Sequence, residues 1–166
     1  MRVNIIAAVS KNGFIGKDLD IPWKAKGEQL LFKALTYNQT IIVGRKTIES
    51  MGFLPDRKYI VVTSKPSDLN DKFQGRYNGC IAQFVPNPVT AMKFAKEHLG
   101  LNQVFVCGGG QIYHQTIHKA DAVHRSVIDI EVDGNVEFPP IPAHLKLVYH
   151  QDFESNINYR YEVWTK

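Results

Sequence analysis

The sequence predicts an α/β fold whose central sheet is mostly parallel and has an antiparallel edge. Apolar segments typical of strands buried on both faces occur within residues 3–9, 40–44 and 57–64. Segments with helical spacing of apolar residues separate these runs, as the crossovers between parallel strands require. Residues 146–153 and 157–166 instead alternate by face, which indicates a final antiparallel pair.

The first half of the chain is divided by turn residues. Asn12-Gly13 is typical of a turn, and Pro22 within a polar stretch indicates a loop. In chain order the predicted elements are the strand 3–9, the loop 17–24, a helix over about 25–36, the strand 40–44, a helix over 45–51 and the strand 57–64.

The second half contains two helices that are bounded by glycines. Gly100 closes a helical pattern over 87–100, and a glycine run separates a strand from a helix within 102–120. The other predicted elements are a loop over 65–80, a short strand near 81–85, a strand over 122–132 that ends at the turn 133–135, and the final antiparallel pair. No repeat, low-complexity tract or change of composition divides the chain, so we expect one domain over residues 1–166.

Composition places the chain among globular proteins. Of its 166 residues, 44% are hydrophobic and 22% are charged, as in domains with a packed core. No apolar run approaches the roughly 18 residues of a membrane span, and the N-terminal run is too short for a secretory signal. The two cysteines do not make a disulfide framework, so we expect a cytoplasmic protein with reduced thiols.

The charge of the chain favours an anionic partner. The net charge is +4 and the pI is about 9.0. The lysines and arginines are scattered and do not interleave with aromatic residues, so we expect no nucleic-acid interface.

Two strand–glycine–helix junctions are candidates for phosphate binding. The segment "IIVGRKT" places Arg45, Lys46 and Thr47 directly after Gly44, and "VFVCGGGQIY" places three glycines before a helix. Helix N-termini offer free N–H groups, and glycine lets the backbone approach a ligand closely. Two such junctions in one sheet suggest a ligand with separated phosphates, such as a dinucleotide. The alternative is that the glycines only turn the chain, and neither the Rossmann nor the P-loop fingerprint is complete.

The segment "HQTIH" has the histidine spacing of a zinc-protease helix. Gln115, however, lies between His114 and His118 where the glutamate base would be. No third ligand follows, so we predict no metal site and interpret both as ordinary helix histidines.

Glu28 is a carboxylate in the apolar stripe of the predicted helix 25–36. Leu31, Phe32 and Leu35 follow it by three, four and seven positions and share its face. The helix dipole stabilises a first-turn acid by about 0.3–1 kcal/mol, which explains its place along the helix but not its face. Burying a carboxylate is costly unless a partner compensates, and a donor-rich ligand in a cleft would do so. Burial would also raise the pKa of Glu28, which makes this residue a candidate proton source near neutral pH.

These motifs, taken together and in order, resemble those of the dihydrofolate reductase family. They are "IIAAVSKNGFIG", "IPW" (21–23), "EQLLFK" (28–33), "IIVGRKTIESMG" (41–52), "LPDRKYIVVTS" (54–64), "VFVCGGGQIY" and "IDIEVDGNVEFP" (128–139). The likeness is closest to the plasmid-borne, trimethoprim-insensitive bacterial branch, on the segments "KGEQLLFKALTYNQ" and "QDFESNINYRYEVW". The resemblance implies a central eight-stranded sheet with four flanking helices. It also implies that NADPH reduces 7,8-dihydrofolate to tetrahydrofolate, with hydride transfer to C6 and protonation of N5.

The resemblance implies substrate roles for several residues. Glu28 would accept two hydrogen bonds from the 2-amino group and a ring nitrogen of the pterin, while a water delivers the proton to N5. Trp23 would help to hold pocket water, and Ser126 would hydrogen-bond Glu28 where the family usually has threonine. Arg57 would pair with the α-carboxylate of the substrate's glutamate. The apolar residues implied around the substrate are Ile6, Ala7, Phe32, Met51, Leu54 and Cys107.

An NADPH site is also implied by the resemblance. Loop 17–24 would close over the nicotinamide and exclude water, and a cis peptide is expected between Gly108 and Gly109. The implied positions are Ala8, Ile15 and Ile21 around the nicotinamide, Arg45, Lys46 and Thr47 at the phosphates, Gly109 and Gly110 at the pyrophosphate, Ser64 and Lys65 at the adenosine 2′-phosphate, and Gly16, Gly44, Cys107, Gln111, Ile112 and Tyr113 elsewhere in the site.

Several positions depart from the family pattern. Gln111 stands where many bacterial relatives have an arginine at the 2′-phosphate, and Lys65 and Arg45 are the expected substitutes. Gln29 occupies a usually apolar position, and the pocket acid is glutamate, not the aspartate of most bacterial chromosomal enzymes. The longer side chain moves the carboxylate, so we expect weak inhibition by trimethoprim, a diaminopyrimidine. One complete site per chain predicts a monomer.

Two other functions remain open from the sequence. A pyrimidine reductase of riboflavin synthesis shares the fold and the cofactor, although the pocket acid and Arg57 argue against it. A noncatalytic anion-binding module would bind phosphate or nucleic acid with a strong salt dependence and would show no turnover.

Overall fold

The structure is a computed structural model that describes residues 1–16, 25–65 and 80–166. The strands in these ranges are β1 (Arg2–Ser10), β2 (Phe14–Gly16), β3 (Thr40–Gly44), β4 (Lys58–Val62), β5 (Ile81–Val85), β6 (Gln103–Val106), β7 (Ala122–Ile128), β8 (Val136–Glu137), β9 (Lys146–Phe153) and β10 (Tyr159–Thr165). The α-helices are α1 (Glu28–Thr36), α2 (Arg45–Met51), α3 (Pro88–Lys93) and α4 (Gly110–Thr116). The predicted loop 17–24 and most of the predicted loop 65–80 lie outside the described residues. None of the helices described is long and apolar enough to cross a bilayer.

Eight of the described strands form one sheet, in the order β5-β4-β3-β6-β1-β7-β10-β9. The first six run parallel, and β10 is antiparallel to both β7 and β9. The predicted fold class is therefore confirmed, with four flanking α-helices in the described part of the chain. The short strands β2 and β8, which periodicity did not predict, form a separate two-stranded ladder.

Both faces of the parallel strands are buried, which explains their continuous apolar runs. Along β3, Ile42 faces one core cluster while Ile41 and Val43 face the other, and all three are fully buried. Side chains of α1 and α2 pack on the face of Ile41, which we call the α1 face. Those of α3 and α4 pack on the opposite face. The fold therefore has three layers, with the sheet between two pairs of helices. Glu28, the first residue of α1, lies on the α1 face.

The strand predicted over 122–132 is too long. It ends at Ile128, and the N–H of Ile130 bonds back to the Ile128 carbonyl at 2.7 Å. This tight turn takes the chain out of the large sheet and toward β8, which pairs with β2. Alternation along the sequence could not show this exit, because residues 128–132 still alternate.

Two predicted helices have different bounds in the structure. The helix predicted over 87–100 is an α-helix only to Lys93 and continues as a π-helical turn over Phe94–His98. The N–H of Leu99 accordingly bonds the Phe94 carbonyl, five residues back, at 3.0 Å. Helix α1 begins at Glu28, not at 25, because Gly27 has a left-handed conformation with φ 93°.

Candidate active site

Helix α1 holds the carboxylate of Glu28 at the margin of the core. Burial raises the pKa of Glu28 above its ordinary value, and the hydroxyl of Ser126 on β7, as a hydrogen-bond partner, lowers it by a smaller amount. Leu31, Phe32 and Leu35 pack against buried clusters further along the helix. The predicted apolar stripe is therefore confirmed, with Glu28 at its N-terminal end.

Two tyrosines share the surroundings of Glu28. A Cβ on Gly27 would lie 2.7 Å from the hydroxyl oxygen of Tyr159 on β10, so this ring sits over the start of α1. Burial raises the pKa of Tyr159, and the charge of Glu28 raises it further. The buried Tyr113 is affected by Glu28 in the same way, and its hydroxyl donates to the Ile6 carbonyl at 2.6 Å. Sequence reasoning missed Tyr159, because strand periodicity does not reveal that β10 lies beside β7.

The predicted apolar walls of the substrate site are divided between the two faces of the sheet. Ile6 and Cys107 belong to one buried cluster on the α1 face, and Phe32 packs against it. Ala7 packs in the cluster on the opposite face, because successive strand residues point to opposite sides. The side chain of Ala7 therefore points away from the α1 face, and its place in the substrate site stays a prediction. The remaining wall residues lie at the end of α2 and just beyond it: Met51, which is exposed, and Leu54, which is half-buried.

Arg57 is buried, and the C-terminal end of α1 holds its guanidinium. Its Nε bonds Thr36 Oγ1 at 3.2 Å, and its Nη2 bonds the Lys33 carbonyl at 2.6 Å. Its Nη1 bonds the carbonyl of Pro55 at 2.7 Å. A guanidinium carries five N–H donors, so these three bonds fix the group and leave capacity for a carboxylate.

The two strand–glycine–helix junctions lie side by side. Strands β3 and β6 are neighbours, and the N–H of Gly44 donates to the carbonyl of Gly108 at 2.8 Å. The expected cis peptide joins Gly108 to Gly109. A Cβ on Gly109 would lie 2.8 Å from Thr47 Oγ1, so glycine lets the second junction pack directly against the first.

The β2–β8 ladder covers the start of α4. A Cβ on Gly110 would lie 2.5 Å from Val136 and 3.7 Å from Ile15, a predicted cofactor position. Ile112 and Tyr113, also predicted there, are buried in the core, and Ala8 packs beside the cluster that contains Tyr159. Gly16 ends β2, while the predicted site residues Ile21 and Trp23 lie outside the described residues.

Basic and polar residues predicted at the phosphates follow the neighbouring parallel strands β3 and β4. Arg45 forms an ion pair with Glu49 at 2.9 Å, whereas Lys46 is exposed. Ser64 and Lys65 come after β4 and are exposed as well. Carboxyl ends of parallel strands meet at one sheet edge, so these groups lie on the edge that also carries the three glycines 108–110 after β6, which we call the glycine turn. We call the exposed residues Lys46, Ser64 and Lys65 the cationic edge. The exposed Gln111 lies on α4.

The two histidines of "HQTIH" are both exposed. His114 Nε2 lies 3.2 Å from the Glu137 carbonyl. No group of three residues suited to binding a metal occurs in the ranges that the structure describes.

His124, which sequence reasoning did not single out, lies two residues before Ser126 on β7. Its Nδ1 is 2.6 Å from the hydroxyl oxygen of Tyr161 on β10. Burial, and to a lesser degree the charge of Arg2, lowers the pKa of His124 to about 4. The ring is therefore neutral at physiological pH, and it lies on the same face of β7 as Ser126, because alternate strand residues share a face.

The comparisons with known proteins agree with this geometry. The family model described as dihydrofolate reductase matches residues 2–166. The chain is 49% identical to dihydrofolate reductase type 15 of Escherichia coli and 46% identical to type 6 of Proteus mirabilis, in each case over 100% of this chain and 99% of the relative. Its fold matches a dihydrofolate reductase from Enterococcus faecalis complexed with NADP(H) and RAB-propyl, with a TM-score of 0.82 at 23% identity over 99% of this chain and 95% of the other. The chain therefore belongs to the dihydrofolate reductase family.

Proposed function

We propose that the protein reduces dihydrofolate to tetrahydrofolate with NADPH. One observation carries this proposal: Glu28 begins α1, and the buried Arg57 is anchored at the other end of the same helix. The nine residues of α1 separate the two ends by about 12 Å at 1.5 Å per residue. An acceptor for a donor-rich pterin and a donor for an anionic tail therefore lie where one extended dihydrofolate can reach both.

Glu28 orients the pterin in this proposal. Its carboxylate accepts two hydrogen bonds from the 2-amino group and a ring nitrogen, and Ser126 supports the ionised form. Because its pKa is raised, Glu28 is also protonated in a larger fraction of molecules near neutral pH than an exposed glutamate would be. A water can pass such a proton to N5.

The glycine turn and the cationic edge fit a nicotinamide dinucleotide. Gly109 and Gly110 present backbone without side chains at the start of α4, and Lys46 and Lys65 extend from the same sheet edge. When bound, NADPH supplies the hydride for C6 of the pterin. Ser64 and Lys65 hold the 2′-phosphate in this proposal, since Gln111 carries no charge.

A spectrophotometric assay tests the proposal directly. The protein is mixed with NADPH and dihydrofolate near neutral pH, and the loss of NADPH absorbance is followed. We expect turnover that requires both compounds. Absence of decay at micromolar protein contradicts the proposal, and turnover of a ribosylaminopyrimidine without turnover of dihydrofolate would favour a pyrimidine reductase.

We also propose that trimethoprim inhibits the enzyme weakly. The support is local: the pocket acid is Glu28, one methylene longer than aspartate, and the adjacent Gln29 is polar and exposed. We expect Glu28→Asp and Gln29→Leu each to lower the trimethoprim concentration that halves activity. Inhibition of the unaltered protein at nanomolar trimethoprim contradicts the proposal.

The proposed site draws its residues from one chain, so we propose that a monomer is the active unit. Sedimentation should then give the mass of one chain at assay concentrations. Specific activity that rises with protein concentration would instead indicate a required oligomer.

A further inference from the structure

We propose that Tyr59 and Cys80 are positioning residues for the tail of the substrate, because they hold the segment 53–57 against the sheet. This inference rests on the proposed function, since it assigns the segment to dihydrofolate binding. Neither residue belongs to the positions that the family motifs imply for the site.

The first observation is that side chains bind both polar backbone groups of Leu54. The N–H of Leu54 donates to the hydroxyl of Tyr59 at 2.9 Å. The thiol of Cys80 donates to the Leu54 carbonyl at 2.8 Å. Tyr59 lies on β4 and Cys80 directly precedes β5, which pairs with β4. One residue on β4 and one directly before β5 therefore hold Leu54, which lies in a segment without regular secondary structure.

The second observation is that the Tyr59 ring has little freedom to move. Tyr59 is 1% exposed, and the Phe53 ring packs edge-on against it at 4.9 Å between centroids. Core packing therefore fixes the position of its hydroxyl. The hydrogen bond to this hydroxyl in turn restrains the backbone of Leu54. Leu54 in turn is one of the proposed apolar walls of the substrate site.

The third observation connects this anchor to Arg57. The residue after Leu54 is Pro55, whose carbonyl accepts from Arg57 Nη1 at 2.7 Å. The carbonyl of Asp56 accepts from the Asn38 N–H at 3.0 Å, and Asp56 has φ 65°, a conformation that few residues adopt freely. A shift of Leu54 would therefore also move the Pro55 carbonyl, which is one of the three acceptors that orient the guanidinium proposed to pair with the substrate's carboxylate.

Three variants test the inference in the full-length protein. Tyr59→Phe removes the hydroxyl and keeps the ring, Cys80→Ala removes the thiol donor, and Cys80→Ser keeps a donor. We expect Tyr59→Phe and Cys80→Ala each to raise KM for dihydrofolate about five-fold while kcat stays within about two-fold, as for the loss of one hydrogen bond in binding. Cys80→Ser should restore most of the loss.

A truncated substrate separates positioning from general stability. On a dihydropterin that lacks the p-aminobenzoylglutamate tail, we expect the unaltered protein and the variants to behave alike. The matched control is Tyr149→Phe, since Tyr149 lies on β9 at the opposite edge of the sheet. It should leave both reactions unchanged.

Each of the other outcomes counts against the inference. An unchanged KM in both Tyr59→Phe and Cys80→Ala overturns it, as does an equal loss on the full and the truncated substrate. If Tyr59→Phe fails to fold, the comparison of Cys80→Ala with Cys80→Ser decides. Failure of the proposed function is distinct, because the unaltered protein itself would then not reduce dihydrofolate.

Discussion

Glu28 has opposite effects on ligand binding and on the stability of the fold. Burial raises its pKa above 4.5, the ordinary value. A carboxyl with a raised pKa binds more protons in the folded than in the unfolded chain, so its contribution to stability falls as pH rises from 4.5 through the folded pKa. The ionised form of Glu28 is therefore less favourably solvated in the folded protein than in the unfolded chain, and in the proposed function a pterin with two donors compensates for this.

Glu28→Gln should consequently separate activity from stability. We expect turnover of dihydrofolate near neutral pH to fall by about 10²–10⁴-fold, as for a positioned acid. In urea denaturation the variant should be more stable than the unaltered protein near neutral pH, and this gain should shrink below the ordinary pKa of 4.5. A variant that keeps its activity, or that loses stability at neutral pH, contradicts this account.

His124 predicts a second pH effect, with the opposite sign. Its pKa is about 4 in the folded protein against 6.5 ordinarily, so the unfolded chain binds the extra proton first as pH falls. The stability that it contributes is present above pH 6.5 and is lost between 6.5 and about 4, by up to about 3 kcal/mol. His124→Gln should flatten the stability of the protein over that window, as measured by urea denaturation. An equal acid-induced loss in the variant and the unaltered protein would refute the assignment.

At the scale of single elements, the start of α1 is set by one glycine and one tyrosine. Gly27 has φ 93°, so the helix cannot extend back to residue 25. The Tyr159 hydroxyl occupies the space where a Cβ of residue 27 would lie. This left-handed residue directly precedes Glu28 and thereby directs the first helical side chain toward Ser126. The helix start thus determines the geometry of the proposed pterin site.

Gly27→Ala should destabilise the protein through two effects. The left-handed conformation disfavours alanine by about 1 kcal/mol, and the new Cβ would come within 2.7 Å of the Tyr159 oxygen. Gly13→Ala is the matched control, because Gly13 has φ 94° but no atom near its Cβ position. We expect a larger loss of unfolding free energy for Gly27→Ala than for Gly13→Ala, with partial recovery when Tyr159→Phe is added. Equal losses would show that the tyrosine contact is unimportant.

At the scale of the whole molecule, the sheet order assembles the proposed site from distant parts of the chain. Glu28 begins α1 and Arg57 is anchored at the other end of this helix, Ser126 comes from β7, and the glycine turn follows β6 beside β3. A ligand that bridges these elements binds only the folded state. Binding should therefore raise the stability of the entire fold.

Thermal unfolding with NADPH measures this coupling. At a concentration of about 100 times Kd, NADPH should stabilise the protein by roughly 2.7 kcal/mol and raise the Tm. We expect Lys65→Ala to reduce the shift, most clearly at low salt, because the proposed site pairs this lysine with the 2′-phosphate. Lys146→Ala, on the edge strand β9, should leave the shift intact. Equal shifts for both lysine variants would remove Lys65 from the cofactor site.

Local patterns were sufficient to predict the fold class and several parts of the proposed site. Apolar runs buried on both faces identified β1, β3 and β4, and helical spacing identified the α1 stripe with Glu28 at its end. The family motifs implied the cis peptide at Gly108 and the roles that were assigned to Arg57 and Ser126. The structure confirms the peptide and places both residues beside α1, and their roles stay predictions for the assays above.

Tertiary structure alone decided the features that depend on register and on neighbours far along the chain. The face of Ala7, the exit of the chain from the sheet at Ile128 and the pairing of β2 with β8 follow from which strands lie side by side. The contact of Tyr159 with Gly27 and the hydrogen bond from Cys80 to Leu54 likewise join parts of the chain that are distant in sequence. The sequence by itself determined the periodicity of each segment and the residue types at the proposed site. Long-range packing determined which of those residues touch, because it selects one arrangement among many that the same local patterns allow.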